Sequence, residues 1–175
     1  LADFLEKEGF RVTRGVGGIA TAFAAEYGEG HPHIGILGEF DALADMEQEA
    51  GAVRASAAAG RPGHGCGHNL LGVGALAGAW AVKSYLERGH AGRVTYFGCP
   101  AEEGGSGKTF MAREGVFGAL DAALAWHPSS ANSVSEGSSL ANYQVLYRFH
   151  GVAAHAGGAP HMGRSALDAV ELMNI

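Results

Sequence analysis

A thiol and two imidazoles lie within five consecutive positions of the sequence, in the stretch His64-Gly-Cys66-Gly-His68. Thiolate sulfur and imidazole nitrogen are zinc ligands in proteins, and a thiol beside an imidazole can also act as a nucleophile. A Cys-x-His pair on its own is more often only a turn. The stretch alone therefore leaves three interpretations open: a metal site, a reactive thiol or a tight turn.

Acidic residues and a further histidine follow three predicted strands. They are Glu39 and Asp41 after HIGIL, Glu102 and Glu103 after RVTYFGCPA, and His127 after DAALAW. Ligands bind outside the carboxyl ends of strands in open α/β sheets, and the Cys66/His68 loop leads into a helix at that same edge. Convergence of four segments on one crevice favours a metal site, for zinc or, if carboxylates and waters predominate, manganese.

The adjacent carboxylates Glu102 and Glu103 indicate a division of tasks. Neighbouring side chains in an extended chain diverge, so we expect the two groups to act differently. One can bind a metal while the other removes a proton from metal-bound water, as metal-assisted hydrolysis requires. Cys66 precedes a helix N-terminus, where we expect a lowered thiol pKa that favours the metal-binding thiolate.

The elements that must position these residues alternate between strands and helices. Apolar runs predict two strands around a glycine turn in FRVTRGVGGIATAFAAEYG, and one strand each in HIGILGEF, RVTYFGC and DAALAW. Helical spacing predicts a long helix in HNLLGVGALAGAWAVKSYLERG that stops at Gly89, and GKTFMAREGVF predicts a short one. We expect an α/β fold with a mixed, mostly parallel sheet flanked by helices.

The sequence changes character after His127. The polar stretch SSANSVSEGSS is typical of a boundary, LANYQVLYRFHG alternates as a half-buried strand would, and SALDAVELMNI predicts a helix capped by Ser165. We place a domain change near Ser138, with the metal-binding domain over residues 1–138 and a second domain beginning over 139–175. Both ends of the sequence lie within helical patterns, so we expect a fragment of a longer chain.

Composition excludes several classes of protein. A hydrophobic content of 47% with 17% charged residues is typical of a soluble α/β protein and not of a disordered one. The net charge of -6 argues against nucleic-acid binding, and no apolar stretch predicts a membrane span. Two cysteines make no disulfide framework, which favours a cytoplasmic protein with a functional Cys66 and a buried Cys99. We expect His31 and His33 in a surface loop.

The motifs GEFDALA, GHGCGHNLLG, GCPAEEGGSGK, AWHP and HGVAAHAGGAPHMGRSALDA, in this order, resemble the M20 metallopeptidase and amidohydrolase family. Within it they are most similar to the aminoacylase-type, aminobenzoyl-glutamate-hydrolase-like group. The resemblance implies a zinc-peptidase-like catalytic domain followed by an α+β lid and dimerisation domain. It also implies two divalent ions, zinc or manganese. The substrate would be a small-molecule amide, either an N-acyl or N-aroyl amino acid such as aminobenzoyl-glutamate or a dipeptide.

The resemblance further implies a role for each site residue. The metal-ligand positions are Cys66, His68, Glu103 and His127. Glu102 matches the general base, Asp41 matches an acidic residue that orients a ligand, and His155 matches a lid histidine that reaches a partner subunit's site and steadies the oxyanion. A homodimer formed through the lid is therefore expected. The family's last metal-binding histidine belongs to a C-terminal segment that follows these motifs.

Two other hypotheses remain open at this point. A thiol hydrolase would use Cys66 as nucleophile with His68 or His127 as base, and would resist chelators, but it leaves the glutamate pair unexplained. A non-catalytic, truncated relative would instead serve as a binding or oligomerisation module. Such a module would fold without binding metal.

Overall fold

The computed structural model describes residues 1–47, 60–135 and 137–175. The chain divides into two compact units, Leu1–Asn132 and Ser133–Ile175. The predicted boundary at Ser138 lies inside the second unit, and the assignment of 139–175 to a lid domain stays a prediction. Within the described ranges, no helix combines the length and apolar character that crossing a membrane requires.

A five-stranded mixed sheet forms the centre of the first unit. Its strands are β1 (Arg11–Arg14), β2 (Phe23–Glu29), β3 (His33–Glu39), β4 (Gly92–Cys99) and β5 (Ala122–Ala125). Their spatial order is β1-β2-β4-β3-β5. The β1/β2 and β2/β4 pairs are antiparallel, whereas β3 pairs in parallel with both β4 and β5. The predicted mixed α/β fold is confirmed, and its parallel pairings join the three strands that lead to the candidate site residues.

Helices cover both faces of this sheet. They are α1 (Ala2–Lys7), α2 (His68–Leu86), α3 (Glu102–Gly105) and α4 (Gly107–Arg113), with a 3₁₀ turn at Val16–Gly18. The long helix predicted from apolar spacing is α2, and Gly89 follows its end with a positive φ of 93°. That left-handed conformation costs glycine little, which explains why the helix stops there.

The hydrophobic core consists of two clusters separated by the sheet. Tyr96 packs with α1 and α2 on one side, while its neighbour Phe97 packs with Met111 of α4 on the other, because successive strand residues point to opposite faces. Cys99 is fully buried in the second cluster, and burial raises the pKa of its thiol to about 12. Cys99 is therefore a packing residue, as predicted, and both cysteines are free.

His33 lies in the core and not in a surface loop, so that expectation was wrong. It is the first residue of β3 and only 4% exposed. Its Nδ1 lies 3.0 Å from the carbonyl oxygen of Ala119, and its Nε2 lies 2.8 Å from the hydroxyl oxygen of Thr95. The short polar run before HIGIL gave no sign of this burial, because the residues that cover His33 lie far along the chain.

The second unit contains a 3₁₀ turn at Pro160–Met162 and the helix α5, Ala166–Met173. The predicted Ser165 cap is confirmed, since the Asp168 amide donates a hydrogen bond of 3.1 Å to the Ser165 hydroxyl oxygen. The strand predicted in LANYQVLYRFHG is wrong: over 139–150 the described backbone forms neither strand nor helix. A strand needs a hydrogen-bonding neighbour, and the pairing described in this unit joins only Val152 and Arg164.

Candidate metal centre

The three parallel strands end at one edge of the sheet. The pairing register places Glu39 opposite Cys99 and Leu37 opposite Ala125. The segments that follow these strands, together with the N-terminus of α2, converge there as predicted. They bring together the side chains of Glu39, Asp41, Cys66, His68, Glu102, Glu103 and His127.

His68 lies at the centre of this group and is fully buried. Its Nδ1 lies 3.0 Å from Asp41 Oδ1, and a proton on Nδ1 donated to Asp41 leaves the lone pair on Nε2. Nε2 faces the carboxylate oxygens of Glu39 at 3.1 Å and of Glu102 and Glu103 at 3.9 Å. Among the described residues Nε2 makes no hydrogen bond. A buried lone pair surrounded by anionic oxygens fits a bound cation.

Asp41 links the two sides of the crevice. One of its oxygens contacts His68, and the other accepts a hydrogen bond of 3.0 Å from the backbone N–H of Glu103. Glu103 Oε1 is, like His68 Nε2, a buried polar atom with no hydrogen-bond partner in the described part of the chain. The geometry suits the predicted orienting role of Asp41, because the same carboxylate fixes the positions of two predicted ligands.

Cys66 and His127 complete the group from the other side. Cys66 Sγ lies 3.3 Å from His127 Nε2. Nδ1 of the same ring lies 3.0 Å from the Pro128 carbonyl oxygen, which accepts its proton and leaves the Nε2 lone pair facing the thiol. The donor atoms of Cys66, His68 and His127 lie within 4.8 Å of one another, as do those of Glu39, His68 and Glu102. Two potential ion positions therefore share His68.

The expected lowering of the Cys66 thiol pKa is wrong for this arrangement. The pKa is raised, first by a hydrogen bond to Glu103, then by desolvation and by the negative charges of Glu103, Glu102 and Glu39. The surrounding carboxylates outweigh the helix N-terminus, because each disfavours a further negative charge nearby. A divalent cation would reverse this effect, since a coordinated thiol loses its proton.

The glutamate pair lies in a helix and not in extended chain. Glu102 and Glu103 form the first turn of α3, which follows Ala101 in a left-handed conformation with φ 59°. Their carboxylates are therefore not on opposite sides, and both lie 3.9 Å from His68 Nε2. The reason given from the sequence for a division of tasks is wrong, and the different tasks of the two residues stay a prediction.

Two glycines allow the segments of the crevice to approach one another. Trp126 donates a hydrogen bond of 3.2 Å from its indole nitrogen to the Leu71 carbonyl, and a Cβ on Gly74 would lie 2.5 Å from the Trp126 ring. Gly67, between the two α2 ligands, has a positive φ of 81° and lies against Pro128. These contacts place His127 beside the N-terminus of α2.

Sequence analysis assigned no task to Glu39 and Lys108. Glu39 forms an ion pair with Lys108 in α4, while its other oxygen faces His68. The position of Glu39 at the end of a strand signalled its place in the crevice. Nothing in GGSGKT identified the partner of Lys108, because that contact depends on the angle between α4 and β3.

The remaining predicted site residue, His155, belongs to the second unit. Its Nδ1 accepts hydrogen bonds from the backbone N–H groups of Gly157 at 3.2 Å and Gly158 at 2.8 Å. In the neutral ring the proton then lies on Nε2, which leaves that nitrogen as a hydrogen-bond donor. The role of His155 toward an oxyanion stays a prediction.

Comparison with known proteins gives consistent results. The chain is 57% identical to a p-aminobenzoyl-glutamate hydrolase subunit of Escherichia coli over 99% of its own length and 36% of that protein. It is 33% identical to the Xaa-Arg dipeptidase of Mus musculus over 89% of its length and 34% of that protein. The chain thus spans about a third of the length of these relatives.

A solved structure agrees with the sequence relatives. A dinuclear metal-binding peptidase of the M20 family from Bacillus subtilis superimposes with a TM-score of 0.60 and 25% identity, over 73% of this chain and 35% of that one. The family described as peptidase family M20/M25/M40 matches residues 35–164, which include Cys66, His68, Glu103 and His127. On this match and on the relatives, the chain belongs to the M20/M25/M40 peptidase family.

Proposed function

We propose that the chain forms the metal-binding part of a hydrolase that cleaves the amide bond of N-acyl or N-aroyl amino acids, such as aminobenzoyl-glutamate, or of dipeptides. The observation that supports this most is the buried, unpartnered Nε2 of His68 among three carboxylates. Cys66, His68, Glu103 and His127 would hold the ions, zinc or manganese. The relative with 57% identity is named as a hydrolase of aminobenzoyl-glutamate.

When bound, two divalent ions would polarise the amide carbonyl and lower the pKa of an attacking water. Glu102 is the residue that removes the proton from this water. The same carboxyl group then passes the proton to the leaving nitrogen as the C–N bond breaks, which returns Glu102 to its ionised form. Its side chain is 43% exposed, so it can reach a substrate that enters from the open side.

Asp41 and His127 would hold the site in shape. Asp41 keeps the proton of His68 on Nδ1, which leaves Nε2 free to act as a ligand. The Pro128 carbonyl does the same for His127. Both contacts are made by oxygen acceptors within the first unit, so the two rings are oriented before an ion arrives.

The short distance between Cys66 and His127 also resembles a thiol–imidazole pair of a thiol hydrolase. The charges of the crevice oppose that alternative. The carboxylates of Glu39, Glu102 and Glu103 disfavour a free thiolate, and they would have no task in such a mechanism. We therefore propose a metal ligand role for Cys66.

We also propose that the intact protein assembles through the second unit, as a homodimer. Large apolar side chains are almost fully exposed there, with Leu140 at 95% and Tyr143 at 91%. The relative with 57% identity is named as one subunit of a hydrolase. The mass of the full-length protein in solution, measured by light scattering, tests this proposal, and a monomeric mass would contradict it.

Replacing Glu102 with Gln in the full-length protein tests the mechanism. We expect kcat on aminobenzoyl-glutamate to fall roughly 10²–10⁴-fold, the usual contribution of a general base, while the number of bound ions is unchanged. The matched variant Glu103→Gln should lose bound metal as well as activity. Activity retained by Glu102→Gln, or metal lost from it, would contradict the role proposed for Glu102.

A further inference from the structure

The Lys108–Glu39 ion pair lies directly beside the proposed metal ligands. Glu39 Oε1 pairs with Lys108 Nζ, while Glu39 Oε2 lies 3.1 Å from His68 Nε2. Both partners are partly buried, with the Glu39 side chain 14% exposed and the Lys108 side chain 30% exposed. Each oxygen of Glu39 thus faces a different neighbour, one cationic and one a predicted metal ligand.

The crevice contains a surplus of groups that become negative. These are Glu39, Asp41, Glu102, Glu103 and the thiol of Cys66 once a metal replaces its proton. Within residues 1–47, 60–135 and 137–175, Lys108 is the only lysine or arginine that forms an ion pair with any of them. When Lys108 offsets Glu39, four negative groups remain, which matches the charge of two divalent ions.

Glu39 would otherwise be available as a ligand. One of its oxygens forms a group with His68 and Glu102 whose donor atoms lie within 4.8 Å of one another. A carboxylate at that distance from a metal-binding nitrogen is a strong competitor for a divalent ion. The ammonium group of Lys108 is therefore the feature that distinguishes Glu39 from the other carboxylates of the crevice.

We propose that Lys108 is a positioning residue that holds Glu39 in an ion pair, takes the place of an additional cation in the crevice, and so limits the affinity for divalent ions. This inference rests on the proposed metal site. Lys108 acts in two ways in the same direction: it repels a nearby divalent ion, and it withholds one carboxylate from that ion.

A set of variants of the full-length protein tests this through metal affinity, measured by competition with a chromogenic chelator for Zn²⁺. Lys108→Met should bind Zn²⁺ roughly 5- to 10-fold more tightly, the size expected for loss of one partly screened charge. Glu39→Gln leaves Lys108 unpaired and should bind more weakly by a similar factor. The double variant removes both charges and should return to about the wild-type affinity.

Two further variants serve as controls. Lys108→Arg keeps the positive charge and should keep the wild-type affinity. Lys83→Met breaks a comparable lysine–glutamate pair, with Glu87 at 2.6 Å, at the far end of α2, and should leave Zn²⁺ affinity unchanged. If Lys108→Met does not fold, the opposite shift expected in Glu39→Gln still decides the matter.

Weaker or unchanged Zn²⁺ affinity in Lys108→Met overturns the inference, and so does a double variant that keeps the tighter binding. Unchanged or tighter binding in Glu39→Gln also overturns it. Each of these results leaves the proposed function intact, because wild-type protein still binds the ions. A wild-type protein that binds neither Zn²⁺ nor Mn²⁺ defeats the proposed function and this inference together.

Discussion

Two buried histidines occupy opposite ends of the same strands, and their surroundings differ. His33, at the start of β3, is 4% exposed and has both ring nitrogens within hydrogen-bond distance of an oxygen. His68, beyond the end of β3, is fully buried, yet only its Nδ1 has a partner among the residues described. Both regions also contain an aspartate, Asp121 near His33 and Asp41 near His68.

The comparison teaches that burial alone does not identify a metal ligand. A histidine whose two nitrogens both find oxygens inside the protein is complete without any ligand, and its contribution is to stability. A buried nitrogen lone pair that faces only anionic oxygens is incomplete until a cation arrives. The unsatisfied atom, and not the residue type, marks the functional end of the sheet.

The largest effect should come from removing each ring in turn. In the full-length protein, His68→Ala should weaken Zn²⁺ binding by more than about 100-fold, beyond the effect of losing a supporting residue. His33→Ala should keep the metal but lower the free energy of unfolding by about 1–3 kcal/mol, because buried oxygens lose their partner. Metal content after dialysis and urea unfolding curves measure the two results. Metal loss from His33→Ala as great as from His68→Ala would break the distinction.

A smaller effect is expected for the aspartate that supports the functional histidine. Asp41→Asn keeps the shape of the side chain but weakens its hold on the His68 proton and on the Glu103 amide. We expect roughly a 10- to 100-fold loss of metal affinity, the usual cost of losing a supporting carboxylate. Chelator competition gives the value, and wild-type affinity in this variant would show that Asp41 does not orient His68.

The smallest effect concerns the aspartate at the structural end. Hydrogen bonds from the His33 amide and from His31, in that order, hold the Asp121 pKa below its ordinary value of 3.8. A carboxyl group with a depressed pKa stabilises the fold above its unfolded pKa, and this stabilisation is lost as pH falls through the folded pKa.

Asp121→Asn should therefore show a shallower loss of stability with acid than the wild type in the range below pH 3.8. Its metal content at neutral pH should be unchanged, because Asp121 lies at the opposite end of β3 from His68. Thermal unfolding across an acid pH series measures the slope. An identical slope in wild type and variant would contradict the contribution assigned to Asp121.

Most of the functional region could be predicted from the order of its motifs. Apolar runs located β3, β4, β5 and α2, and the rule that ligands bind at the carboxyl ends of strands placed Cys66 and His127 together. Local sequence contains this information, since strand alternation and helical spacing depend on neighbouring residues.

What the sequence did not predict depends on contacts between distant segments. The burial of His33 results from Thr95 and Ala119, which follow it 62 and 86 residues later in the chain. The raised Cys66 pKa depends on Glu103, and the pairing of Lys108 with Glu39 depends on the placement of α4. For 139–150 the alternation of apolar residues was a true pattern, but a strand also requires a neighbour that supplies hydrogen bonds.

The most direct test is X-ray absorption at the zinc edge of the metal-loaded, full-length protein. If Cys66 joins His68, Glu103 and His127 around shared ions, the spectrum contains a sulfur neighbour at about 2.3 Å from zinc. That signal should disappear in Cys66→Ser and persist in Cys99→Ala. A wild-type spectrum with nitrogen and oxygen neighbours only, or a sulfur signal that survives Cys66→Ser, would contradict the proposed centre.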